Sequence, residues 1–149
     1  MKLVILGKGG MGVLFLSKVI AQVAMNKGLS VYATEIKGMA KKGGVVEVQM
    51  KIGEGKIGVL KRGEADLVIL LNNDLMDYAR TFGDKVFSFS EEEIKHVFEM
   101  VPMKYVNTFL LGVFVMKENF YTCEDFLKVL DEENQKFFLE GCKYVQSKS

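Results

Sequence analysis

The chain has 149 residues, 49% hydrophobic and 26% charged, with a formal net charge of +1; this suits one domain with its own core and carries no general affinity for nucleic acid. Its two cysteines, Cys123 and Cys142, form no C-x-x-C pair, which argues against a zinc site, and a cysteine-ligated iron–sulfur cluster needs about four thiolates. No apolar stretch nears the roughly 20 residues of a membrane span, and the strand-like start leaves no room for a signal peptide, so a cytoplasmic address with reduced thiols is expected.

"KLVIL" (2–6) reads as a buried strand, and residues 7–12 as a glycine turn. From Met11 to Lys27 the pattern is helical: Val13, Leu16, Ile20 and Val23 share one face, while Lys18, Gln22 and Asn26 repeat on another. Gly28 is a good stop for that helix. "LSVYATE" (29–35) is a second strand, and 36–44 a loop rich in glycine and lysine. "VVEVQMKI" (45–52) alternates apolar and polar, as a half-exposed strand does. After a turn at 53–56, "IGVL" (57–60) reads as a short returning strand that closes a hairpin. "ADLVILL" (65–71) is a buried strand, followed by a helical turn or two from Asp74 to Arg80 and a strand at 85–89.

Ser90, with Glu93 three residues on, signals a capped helix. Residues 104–118 read as a largely buried helix. The stretch 122–145 opens with Thr122 as cap and Asp125 three residues on, and is one helix or two. Strands alternating with helices, interrupted by a hairpin, predict an α/β fold with a mixed sheet. The expectation is a three-layer α/β/α single domain over 1–149. Its sheet would be mixed and mostly parallel, its start Rossmann-like and its C-terminal third helical.

Gly7, Gly9 and Gly12 stand at the spacing G-x-G-x-x-G between a strand and a helix. Free N–H groups at such a turn favour anions. Glu35 ends the second strand, where a dinucleotide-binding unit has an acid for the ribose, about 20 residues on. Three readings stay open: a dinucleotide site, a site for another anion, and a packing turn that binds nothing. A nucleoside-triphosphate loop is excluded on chemistry. The G-K-[S/T] ending is missing, and Val13 offers no hydroxyl to magnesium.

Taken with "GKGGMG", the stretch "TEIKGMAKKGGVVEVQMKI" (34–52) resembles the gamma subunit, or gamma domain, of the 2-oxoacid:ferredoxin oxidoreductases. That family includes the pyruvate, 2-oxoglutarate, 2-oxoisovalerate and indolepyruvate enzymes. Gly7, Gly9, Gly10 and Gly12 match its first motif, and Glu35, Gly38, Gly43 and Gly44 its second. "ADLVILL", "VNTFLLG" (106–112) and the segment from Asn134 to Gly141 match further on. Met11 stands where glutamine is frequent, and Lys42 and Lys51 where arginine is usual; the chain is short between Phe89 and Lys104.

The resemblance implies a subunit of an enzyme that decarboxylates a 2-oxoacid oxidatively with thiamine diphosphate. Electrons pass through iron–sulfur clusters to ferredoxin, and an acyl-coenzyme A forms. Thiamine diphosphate and the clusters belong to partner chains: alpha, beta and ferredoxin-like delta subunits. This chain would contribute no catalytic or metal-binding residue, but architecture and part of a coenzyme A surface. The matching positions are Gly7, Gly9, Gly10, Met11, Gly12, Glu35, Gly38, Lys41, Lys42, Gly43 and Gly44. Lys37, Lys41 and Lys42 would form a cationic loop that attracts the polyanion. Two alternatives stand beside this. One is a stand-alone NAD or FAD binder using Gly7, Gly9, Gly12 and Glu35; the other is a non-catalytic scaffold relative of the family.

The remaining residues are read structurally. His96, the only histidine, is a surface residue with no second ligand nearby, and Glu91, Glu92 and Glu93 make a solvated helix start. Cys123, beside a helix start, is read as a structural thiol, with a reactive thiol as the alternative. "FLLGVFVM" and "KFFLEGC" carry more apolar residues than one helix face needs, which suggests an interface in the C-terminal third.

Overall fold

The computed structural model describes residues 1–9, 12–37, 44–53 and 59–148, Lys37 through its backbone. The chain divides into two compact units, Met1–Phe89 and Ser90–Ser149.

The first unit is built on a five-stranded sheet. Its strands are β1 (Lys2–Lys8), β2 (Val31–Lys37), β3 (Val45–Ile52), β4 (Leu67–Leu70) and β5 (Val86–Phe87), in the order β2-β3-β1-β4-β5. β1 pairs in parallel with β4, and β4 with β5, while β3 runs antiparallel to both β1 and β2. All strands except β3 therefore point the same way. Leu3 to Leu6 are completely buried, as are Val68 and Leu70, which is why these strands read as unbroken apolar runs. Each such side chain contributes about 1.5–3 kcal/mol of transfer free energy.

Side chains alternate between the faces of the sheet. Val4, Leu6, Val68 and Leu70 share one face and pack with Leu60, Ala65, Ala79 and Phe82. Ala79 lies on α2 (Met76–Arg80), which follows a 3-10 turn at Asn73–Leu75. On the other face, α1 (Val13–Asn26) lies along β1, β2 and β3. It ends as Gly28 anticipates: Gly28 N–H donates to Met25 O at 2.9 Å and Leu29 N–H to Ala24 O at 3.1 Å, the paired bonds of a Schellman stop. The acid of "ADLVILL" has a local role. Asp66 Oδ2 accepts from Lys2 N–H at 2.7 Å, and Lys2 O accepts from Asp66 N–H at 2.7 Å, so the start of β4 is clipped to the start of β1.

Several expectations change: β2 runs over Val31–Lys37 instead of 29–35, and β5 over Val86–Phe87 instead of 85–89. β1 continues past residue 6, because β3 keeps it in register to the pair Lys8↔Val45. β3 is an inner strand, not a half-exposed one: Glu47 and Gln49, its polar alternates, are each 4% exposed. The returning strand over 57–60 lies partly outside the described residues. At its described end Leu60 N–H donates to Gln49 Oε1 at 2.8 Å instead of entering a ladder, and the antiparallel neighbours of β3 are β1 and β2.

The second unit is helical, with α3 (Glu91–Met100), α4 (Val106–Glu118), α5 (Cys123–Leu127) and α6 (Glu132–Lys148). Both anticipated capping boxes are present, Ser90 with Glu93 on α3 and Thr122 with Asp125 on α5. The stretch 122–145 is two helices. Gln135 Nε2 donates to the carbonyls of Leu127 (3.0 Å) and Leu130 (2.8 Å), satisfying acceptors where α5 ends. Asp131 Oδ1 accepts from Asn134 N–H at 2.9 Å and opens α6.

α4 and α6 cross in close contact. A Cβ on Gly112 would drive into the Phe138 carbonyl oxygen, and one on Gly141 into that of Phe109. Beside this crossing Thr108 Oγ1 donates to Asn134 Oδ1 at 2.6 Å. The segments "VNTFLLG" and Asn134 to Gly141 thus have a shared physical basis: they are the two sides of one backbone-to-backbone helix contact. Phe114, Phe126 and Phe138 fill the core of the unit.

Candidate functional site at the glycine turns

β1 delivers its C-terminal end beside that of β4, where Leu71 N–H donates to Leu6 O at 2.8 Å. In open α/β sheets this edge is where ligands bind. Gly7 is buried here, and its missing side chain is needed. A Cβ would stand 2.8 Å from Val13 Cγ2 and 3.3 Å from Leu71 Cβ, so Gly7 lets α1 start directly against the strand end. Gly12 is the N-cap of α1 with φ 80°, a conformation that side chains other than glycine resist. Its carbonyl accepts from Leu16 N–H at 3.0 Å, which begins the helix ladder.

The two glycine motifs meet. Gly9 N–H donates to Gly44 O at 2.9 Å, joining the turn after β1 to the entry of β3. That amide is therefore committed within the protein and is not free for a phosphate oxygen. Glu35 is exposed on β2, opposite Val48. Because β3 stands between β2 and β1, Glu35 lies two strands from the glycine turn, roughly 10 Å across the sheet. In a dinucleotide-binding unit the acid comes from the strand next to the first. Gly10, Met11, Gly38, Lys41, Lys42 and Gly43 lie outside the described residues. Lys37 pairs with Val46 in the ladder.

A buried polar row on β3 was hidden in the strand pattern. Glu47 Oε1 accepts from Tyr78 OH at 2.5 Å and Glu47 Oε2 from Gln49 Nε2 at 2.5 Å. With the Leu60 amide on Gln49, this ties α2 and the segment at residue 60 to the strand that follows the second glycine motif. Burial, and then the Glu47 carboxylate, push the Tyr78 phenol up to about 12. The signal for this row was two polar residues at i and i+2; alternation says they share a face, not that the face is covered. Nearby, Lys8 and Asp74 form an ion pair at 3.6 Å.

In the helical unit His96 is half-buried, its ring 4.5 Å from that of Tyr144 and 5.8 Å from that of Phe109. It is packed among aromatics and not simply a surface group. Two thiols fall short of the roughly four that an iron–sulfur cluster takes, and Cys142 is buried besides; the donor set of this chain does not fit such a cluster. Among the described residues no group of three or more His, Cys, Asp or Glu is placed to hold a metal ion, and no helix is long and apolar enough to cross a membrane.

An open sheet with helices on its faces, one reversed strand, and glycine turns joined at the end of its central strand define a Rossmann-like α/β module. The chain belongs to the pyruvate ferredoxin/flavodoxin oxidoreductase family, whose model matches residues 2–86. Over 71 residues it is 42% identical to the indolepyruvate oxidoreductase subunit IorB of Archaeoglobus fulgidus, a match that covers 48% of this chain and 35% of that subunit. The chain thus spans about a third of the length of that curated relative. The gamma subunit of a keto/oxoacid ferredoxin oxidoreductase from Geobacter sulfurreducens superimposes with a TM-score of 0.71 at 15% identity, over 98% of either chain. A 2-oxoglutarate:ferredoxin oxidoreductase from Magnetococcus marinus, solved with 2-oxoglutarate, coenzyme A and succinyl-CoA bound, matches with a TM-score of 0.71 at 18% identity, over 99% of this chain and 30% of that one. These two likenesses establish a shared fold.

Proposed function

We propose that this chain is a gamma-type subunit or domain of a multisubunit 2-oxoacid:ferredoxin oxidoreductase, an enzyme that oxidises a 2-oxoacid to its acyl-coenzyme A and reduces ferredoxin. The observation that carries the reading is family membership over residues 2–86, together with the junction of the two glycine motifs at Gly9 and Gly44. The chain acts with alpha, beta and ferredoxin-like delta partners in the cytoplasm. Thiamine diphosphate and the iron–sulfur clusters are carried by those partners, in keeping with the thiol count here. Both compact units serve together as one gamma-type domain over 1–149, and the length of the Geobacter gamma subunit supports this. Indolepyruvate is the favoured substrate, because the 42% relative is an indolepyruvate subunit. Pyruvate and 2-oxoglutarate are the other candidates.

The glycine motifs, with Lys37 at the end of β2 and Lys41 and Lys42 a few residues on in sequence, contribute to coenzyme A binding. The Magnetococcus relative holds that ligand, and lysines raise the local concentration of a polyanion in a salt-dependent way. The test is charge reversal in the assembled enzyme. Lys41→Glu with Lys42→Glu should raise the apparent KM for coenzyme A about tenfold, the equivalent of roughly 1.4 kcal/mol, with kcat kept and the effect shrinking as salt rises. An unchanged KM would remove the lysines from the site.

A stand-alone NAD or FAD binder is less well supported. The inserted β3 carries Glu35 away from the glycine turn, and the Gly9 amide is already bonded. Titration of the isolated chain with NAD and FAD tests it: saturable binding weakened by Glu35→Ala would revive that reading. A scaffold relative would bind neither dinucleotide and would assemble into no active enzyme.

A further inference from the structure

The connection from α4 to α6 brings together the only two cysteines of the chain. Cys123 opens α5 and is half-buried; Cys142 lies on α6 and is 4% exposed. Their sulfurs are 3.4 Å apart, and Cys123 Sγ is also 3.4 Å from Met116 Sδ on α4. A disulfide needs about 2.05 Å between sulfurs, so the two must close by little more than an ångström. The turn that sets up this contact is unusual. Asn119 and Tyr121 both have positive φ, 54° and 56°, and a bulky aromatic is rarely found there. Two left-handed residues within three positions reverse the chain sharply and set the first residue of α5 against α6. Cys142 Sγ also approaches Gly112 O at 3.7 Å, so the pair adjoins the crossing of α4 and α6.

We propose that Cys123 and Cys142 are a redox modification site, forming a reversible intramolecular disulfide on exposure to a peroxide. Cys123 is the sulfur that a small oxidant reaches, since Cys142 is enclosed. Burial, and then the neighbouring Cys123, push the Cys142 thiol up, which leaves it protonated as the resolving partner. In the first step the Cys123 sulfur attacks one peroxide oxygen and the O–O bond breaks. This gives a sulfenic acid on Cys123 and one water. In the second, the Cys142 sulfur attacks Cys123 Sγ as the S–O bond breaks. The hydroxyl leaves with the Cys142 proton as a second water. Two thiols and one hydrogen peroxide become one disulfide and two waters; the sulfur pair loses two electrons, and the peroxide gains them. The new bond would fasten α5 to α6 one position from Gly141, at the helix contact itself.

The test treats the reduced full chain with hydrogen peroxide, then alkylates it in denaturant and measures its mass. Met100 and Met103, 67% and 74% exposed, report exposure to the oxidant by their conversion to sulfoxide. The result expected is loss of both alkylatable thiols, a Cys123–Cys142 peptide in non-reducing digests, and recovery of both thiols with a dithiol reductant. The thermal midpoint should rise by roughly 5–10 °C on oxidation, as closing a loop of this length implies. Cys123→Ser and Cys142→Ala should each abolish the rise; Cys123 is partly exposed, so Cys123→Ser decides the matter if the buried substitution fails to fold. Three results would overturn the proposal: both thiols still alkylated once the methionines are oxidised, a sulfinic acid on Cys123 beside a free Cys142, or a disulfide between two chains.

Discussion

The glycine turn at the end of β1 and the crossing of α4 and α6 use glycine in different ways. In the sheet unit Gly7 makes room for α1, and the atoms that a side chain would meet are Val13 Cγ2 and Leu71 Cβ, both on side chains. In the helical unit Gly112 and Gly141 make room for backbone, and a side chain would meet the carbonyls of Phe138 and Phe109. A valine side chain can turn aside; a helix carbonyl already bonded in its ladder moves only with its helix. The lesson is that a glycine in a recognisable motif need not face a ligand. Gly7 stands in the fingerprint, yet its neighbours are the protein's own strand and helix. The residues with loop geometry, Gly9 and Gly44, are the ones that join the two motifs.

Substitutions can break or sharpen this contrast. Gly141→Ala should cost the most, about 3 kcal/mol in urea unfolding, because the helices must separate. Gly112→Ala should behave alike, and the pair together should be less than additive, since one separation accommodates both.

Glu47→Ala comes next. It leaves Tyr78 OH and Gln49 Nε2 without their acceptor and should cost about 2 kcal/mol by the same assay. Tyr78→Phe should cost less, and it carries a pH signature. The phenol titrates near 10.0 when unfolded and at about 12 in the fold, so the folded state holds the proton more tightly. The contribution is fully present below pH 10, declines as pH rises, and is gone beyond about pH 12. Tm followed across that window should fall less steeply in Tyr78→Phe than in the parent.

Gly7→Ala should cost about 1–2 kcal/mol, with α1 shifted at its first turn. The smallest effect, about 1 kcal/mol each, is expected for Ser90→Ala and Thr122→Ala, which remove the side-chain halves of the two capping boxes. A Gly7→Ala cost equal to that of Gly141→Ala would erase the distinction between side-chain and backbone contact.

What could be read in advance was local chemistry. Gly28 as a stop, Ser90 with Glu93, and Thr122 with Asp125 each act within a few residues, so their types and spacing suffice. The apolar runs at 2–6 and 65–71 identified strands covered on both faces. The position of β3 could not be read this way. Insertion between β1 and β2 is a pairing choice among distant segments, and alternation in "VVEVQMKI" is the same for an outer strand and an inner one whose polar residues satisfy each other. The break between α5 and α6 depends on where the Gln135 amide reaches, which periodicity does not carry. At the site, two motifs were legible as separate glycine runs; that the Gly9 amide meets the Gly44 carbonyl is a product of the β1–β3 register, which ends at Lys8↔Val45.

The central claim is that the chain works as one part of a larger enzyme. The most direct measurement is anaerobic affinity purification of the tagged chain from its native host, with co-purifying chains identified and the eluate assayed for 2-oxoacid-dependent ferredoxin reduction. Recovery in fixed ratio with thiamine-binding and iron–sulfur chains, with activity in the complex and none in the isolated chain, is the result predicted. Recovery of the chain alone, from cells in which the other subunits are present and active, would contradict it.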